Sequence, residues 1–96
     1  MQSVILINPI AVPVGEEEEF LKGWRIAAEH MRRALGFRPL RLHRSVNPEA
    51  QFRFVNIAEW ESPEQWQAAV HTQPSEMIRP MLQWTAYPAL YEVVIA

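Results

Sequence analysis

Asn56 stands between Val55 and Ile57 in the run FVNIAEWESPEQW, residues 54–66, and Trp60 follows four positions later. A carboxamide can donate to an oxygen that gains negative charge, and an indole offers a flat apolar wall with one N–H. Together they suit a planar small molecule. Asparagine is depleted from strands, and a buried one without partners costs about 1–3 kcal/mol. Asn56 is therefore either a core amide satisfied locally, for example by Arg41 across a hairpin, or a donor in a pocket.

Other side chains could join that chemistry. A neutral imidazole at His43 could remove a proton. Arg41 and Arg79 could hold an anionic oxygen, or serve only in rim ion pairs. His30 and His71 flank helices and read as surface residues. The three histidines have no acidic ligands at metal spacing, so no metal site is expected.

These residues need a scaffold. SVILIN, residues 3–8, reads as a first strand closed by Pro9, Pro13 and Gly15. The next run carries Phe20, Trp24, Ala27, Met31 and Leu35 at helical spacing, opens on Glu16–Glu19 and closes on Arg32, Arg33 and Gly36, as the helix dipole and a glycine C-cap favour. Residues 39–46 and 51–61 read as two strands about an Asn47–Ala50 turn. Ser62, Pro63 and Gln65 mark the start of a second helix with Trp66, Ala69 and Val70 inward. Residues 72–86 read as a short helix and loop, and ALYEVVIA, residues 89–96, as a final strand.

The order β-α-β-β-α-β predicts an α+β, ferredoxin-like domain over residues 1–96, with a four-stranded antiparallel sheet and both helices on one face. A four-residue hairpin loop makes the numbers of paired residues sum to 97. Arg41 then lies opposite Asn56 and His43 opposite Phe54, on the face beneath the helices with Trp60. Leu40, Leu42, Val55 and Ile57 gather on the other face, an apolar patch that predicts a homodimer through the sheet.

Composition narrows the functions. The 96 residues carry no cysteine, which excludes disulfides and thiolate chemistry, and a formal charge of -2 without a basic stripe argues against nucleic acid. The N-terminal apolar run is too short for a membrane span and lacks a basic leader, so a cytoplasmic protein is expected. Four tryptophans exceed the needs of so small a core, and some should line a pocket or interface.

FVNIAEWESPEQW, with its N-x-x-x-W-E-S pattern, the opening strand ending in Asn8, the LGF turn and the RLHRS strand, resembles the antibiotic biosynthesis monooxygenase family of dimeric α/β barrels. The resemblance implies a pocket between sheet and helices, and either cofactor-free oxidation of an aromatic or quinol-type molecule by dioxygen or haem degradation. Members of the first kind use an asparagine and a tryptophan on the third strand, to which Asn56 and Trp60 correspond. They also use an aromatic residue early in the second helix and an arginine beyond it, positions matched by Trp66, in place of tyrosine, and Arg79. Haem degraders use an asparagine on the first strand, matched by Asn8, but Ala69 and Arg79 fall where their tryptophan and axial histidine belong.

The expected catalytic set is thus Asn56, Trp60, Arg79 and His43, with Phe54, Trp66, Arg41 and Asn8 around the substrate and no cofactor or metal. A non-catalytic ligand-binding or stress-related dimer is the alternative.

Overall fold

Strand β1 (Val4–Ala11) is apolar almost throughout, as a strand covered on both faces requires, and the computed structural model, which describes residues 3–96, sets it inside the sheet between β3 and the C-terminal strands. Helix α1 (Glu17–Arg32) opens on three glutamates and ends on a basic turn. It stops before Gly36, so Leu35 lies beyond the helix and is exposed rather than on its apolar stripe. Gly36 adopts φ +88°, and a Cβ there would collide with the Gln65 side chain. Only glycine allows the chain to turn there into β2 (Phe37–Arg44).

β3 (Phe54–Trp60) leads into α2 (Pro63–His71), which Ser62 caps by accepting the Gln65 N–H at 3.2 Å. The segment after it forms a short helix, α3 (Ser75–Ile78), continued as a 3-10 turn over Arg79–Gln83 where Pro80 removes a helical donor.

The last strand is built in two pieces, β4 (Thr85–Ala86) and β5 (Ala89–Tyr91). Both pair antiparallel with β1 in one register, Ile10 opposite Ala86 and Leu6 opposite Leu90. Pro9 and Pro88 lack N–H donors and interrupt the ladder between them, although Tyr87 still donates to the Pro9 carbonyl at 3.0 Å. Pairing ends at Tyr91, so the predicted strand to residue 96 is too long, and Val93, Val94 and Ile95 are exposed. The strand order β2-β3-β1-β4, with β5 also on β1, is the ferredoxin-like arrangement.

One expectation fails in an instructive way. Leu40 pairs with Ala58, Arg41 with Ile57, Leu42 with Asn56 and His43 with Val55, so paired numbers sum to 98 rather than 97. The Asn47–Ala50 turn does form, with Asn47 Oδ1 accepting the Glu49 N–H at 2.9 Å and the Ala50 N–H reaching the Asn47 carbonyl at 3.1 Å. The ladder, however, closes at Ser45 N–H to the Arg53 carbonyl, 2.8 Å. One residue precedes the turn and two follow it, because Phe52 packs its ring on Tyr87 at 5.5 Å. The loop is odd in length, and parity across the hairpin inverts.

Leu40 and Leu42 therefore lie beneath the helices with Asn56 and Ala58, while Arg41 and His43 join Val55 and Ile57 on the outer face. A bulge between Phe37 and Leu40, around Pro39, also keeps Phe37 on the inner side, its ring against Trp60 at 5.4 Å. The outer apolar stripe is Ile5, Ile7, Val55 and Ile57, contributed by β1 and β3.

The inner face carries two packed clusters. Ile10, Val12, Phe20, Phe54 and Trp84 close one end, and Leu6, Ala58, Trp60 and Ala69 the other.

Candidate functional site

A cavity of about 460 Å³ opens between these clusters. Its floor is the inner sheet face, with Leu6, Asn8, Asn56, Ala58 and Trp60. Trp24 and Met31 of α1 and Trp66 and Val70 of α2 form the sides. Ile78, Met81 and Trp84 form a roof.

Two devices hold that roof. Gly23 leaves a notch in α1 for Met81, since a Cβ at that position would overlap the thioether sulfur. Trp84 donates its indole N–H to Glu16 Oε1 at 2.9 Å, tying the end of the roof to the start of α1.

Asn8 and Asn56 face one another directly across the β1–β3 ladder. Asn56 is only 5% exposed, and among the described residues its Oδ1 has no hydrogen-bond partner; neither does Asn8 Oδ1 or Trp60 Nε1. Buried polar atoms are almost always paired, and each orphan costs about 1–3 kcal/mol. Three around one cavity is a concentration of unmet hydrogen-bonding capacity that a polar planar ligand would fill. Trp60 Nε1–H can only donate, whereas each carboxamide can donate or accept.

The structure brings Asn8, Asn56, Trp60 and Trp66 together and leaves the other four expected residues outside the cavity wall. Phe54 shares the inner face but is core, stacked on Phe20 at 4.7 Å. Arg41 and His43 are exposed on the outer face, a correction that follows from the loop parity, and His43 Nδ1 lies 3.3 Å from the Val55 carbonyl. Arg79 begins the 3-10 turn with its side chain exposed.

All four tryptophans line the cavity. Trp24, Trp84, Gln73 and Met81 were not singled out from sequence as site residues, although the excess of tryptophan was the available signal. No acidic, basic, histidine or tyrosine side chain among the described residues belongs to the wall. Among the described residues, no three histidine or carboxylate side chains cluster as a metal site requires. No helix among them is long and apolar enough to cross a membrane.

Residues 3–79 match the model of a family described as antibiotic biosynthesis monooxygenase. Among solved structures, a candidate monooxygenase from Shewanella loihica is 28% identical over 99% of this chain and 97% of its own, with a TM-score of 0.81. SnoaB, a cofactor-independent oxygenase from Streptomyces nogalater, superposes with a TM-score of 0.82 over 100% of this chain and 97% of its own; at 22% identity the likeness concerns the fold. A haem-degrading protein from Mycobacterium tuberculosis is 28% identical over 99% of this chain and 98% of its own, with a TM-score of 0.74. No curated protein sequence matches the chain.

Proposed function

Because the chain belongs to the antibiotic biosynthesis monooxygenase family, we propose that its cavity oxidises an electron-rich aromatic or quinol-type molecule with dioxygen and without a cofactor. The observation that carries this reading is the set of three unpaired polar atoms, on Asn8, Asn56 and Trp60, in an otherwise apolar pocket. Substrate carbon supplies the electrons. A phenol or anthrone loses a proton, its carbanion adds dioxygen to give a peroxide, and after protonation the peroxide loses water to leave a carbonyl. Trp60 N–H and the Asn56 amide N–H donate to the oxygen on which charge collects, and the roof excludes bulk water.

The wall offers no titratable group to take the proton. We therefore place proton loss in solvent, before the substrate enters the cavity as its anion, and not on His43 or another protein base, with Arg79 outside the chemistry. Activity should rise with pH along the substrate's own ionisation curve and then level. Two substrates of different acidity should give profiles displaced by the difference in their pKa values. A bell-shaped profile whose limbs stay fixed when the substrate changes would instead place a protein acid or base in the reaction.

Haem is a second reading, favoured by the 28% identity to a haem-degrading protein. The residues present do not fit it. The wall holds no histidine for the iron and no cationic side chain for the propionates. Titration with haem should leave its Soret band as in buffer; a stoichiometric shift, lost on adding reductant, would favour haem degradation.

The working form in this proposal is a cytoplasmic homodimer joined through Ile5, Ile7, Val55 and Ile57. A non-catalytic binder would retain the same dimer and pocket but consume no dioxygen.

A further inference from the structure

Beside the substrate cavity lies a second one of about 150 Å³. It is an annex of the larger cavity: eight of its eleven lining residues, Asn8, Gln73 and Met81 among them, line both, and Ile10, Phe20 and Met77 belong to it alone. We propose that this chamber binds dioxygen next to the reacting carbon, an assignment that rests on the oxygenase reading above.

The argument begins with what such a space can hold. A water molecule needs two to four polar partners, and an apolar cavity of about 150 Å³ stays dry and admits xenon or benzene instead. Here the polar members, Asn8 and Gln73, stand where the annex meets the larger cavity, while Ile10, Phe20 and Met77, the residues it has to itself, are apolar and offer water no partner. Dioxygen is small and apolar, has no hydrogen bond to lose on leaving water, and fits where a fused aromatic ring system does not.

The walls are also fixed. Phe20 is 1% exposed, stacks on Phe54 and meets Trp84 edge-on at 5.4 Å, so the chamber is set by packed core residues on that side.

Position decides the role. Asn8 and Ile10 are two residues apart on one face of β1, about 7 Å along the strand. Asn8 lies opposite Asn56, the proposed donor to the substrate oxygen. A gas molecule at Ile10 is therefore one side-chain step from a substrate held at Asn56, and the addition of dioxygen to the carbanion becomes an encounter within the protein rather than one with dilute dissolved gas.

Xenon pressurisation of crystals of the intact wild-type protein tests the chamber directly. Xenon is expected between Ile10, Phe20 and Met77, and its absence there overturns the proposal. Met77→Phe fills the space from the roof and leaves Phe20 and the core behind it unaltered in sequence. It should expel xenon and raise the dioxygen concentration for half-maximal rate about three- to tenfold, while substrate affinity measured under argon stays the same. A filled chamber with an unchanged dioxygen dependence would overturn the assignment. Xenon in the wild type combined with no dioxygen uptake from any electron-rich phenol would overturn the oxygenase reading instead, leaving the chamber an apolar cavity without that role.

Discussion

Replacing Asn56 by alanine is expected to lower turnover about 10²–10³-fold, the usual cost of losing one donor to a developing oxyanion, while the thermal unfolding temperature hardly moves. The second half of that expectation comes from the structure. A structural amide has a protein partner that its removal strands, at about 1–3 kcal/mol. Asn56 Oδ1 has no such partner, although the residue is buried. Its removal leaves the neighbouring strands with their own backbone bonds intact and frees the fold of an unsatisfied polar atom. Dioxygen uptake with an anthrone or a reduced naphthoquinone, measured beside thermal unfolding, separates the cases. A variant that melts many degrees lower, with turnover per folded molecule unchanged, would make Asn56 a scaffold residue.

Ile57→Asp should break the proposed dimer. Ile57 is 39% exposed in the single chain and sits at the middle of β3, opposite Ile7 on its neighbouring strand. In a twofold assembly each substitution occurs twice, so two carboxylates would be brought into an apolar interface, where Arg41, the cross-strand neighbour of Ile57, offsets only part of the cost. Each costs several kcal/mol if it stays charged. Since 1.4 kcal/mol is a tenfold change, dissociation should strengthen by about 10³-fold or more. Light scattering at micromolar concentration reads the result. Wild-type protein that already scatters as a monomer of 11.2 kDa would remove the interface from consideration. Leu40→Asp is the useful contrast, because Leu40 faces the helices and packs against the inner cluster. That change should cost stability in the single chain rather than association.

Much of this molecule is legible from residue order. The element sequence, the Ser62 cap, Asn56 and Trp60 on the helix-covered sheet face and Trp66 on the inward stripe of α2 follow from periodicity and punctuation within each segment, and Asn8 from the family resemblance. Within β2 and within β3, the sorting of residues onto alternate faces was also right. What failed was the link between the two strands. It depends on where the ladder closes, and that was decided by the Ser45–Arg53 hydrogen bond and the contact of Phe52 with Tyr87, partners thirty-five positions apart (87 − 52). No local signal carries such a contact. The misplacement of His43 and Arg41 follows wholly from it. Arg79 failed for a different reason: a short helix continued by a 3-10 turn points its side chains in directions that spacing does not reveal. Leu35 failed because the helix ended before the glycine that seemed to cap it.

The odd-length hairpin loop over residues 46–52 also bears on how a chain of this kind can change its chemistry. Surface loops ordinarily absorb insertions and deletions at little cost, and length there drifts freely. In this hairpin a two-residue change preserves which side chains of β2 look inward. A single-residue change does not, unless the bulge at Pro39 takes up the difference. It would turn Leu40 and Leu42 outward and carry Arg41 and His43 into a pocket whose wall now holds neither cation nor imidazole. Loop length modulo two thus acts as a selector between two pockets written on one strand, one hydrocarbon and one basic, and the catalytic repertoire of such a scaffold can be altered by an indel that touches no residue of the site.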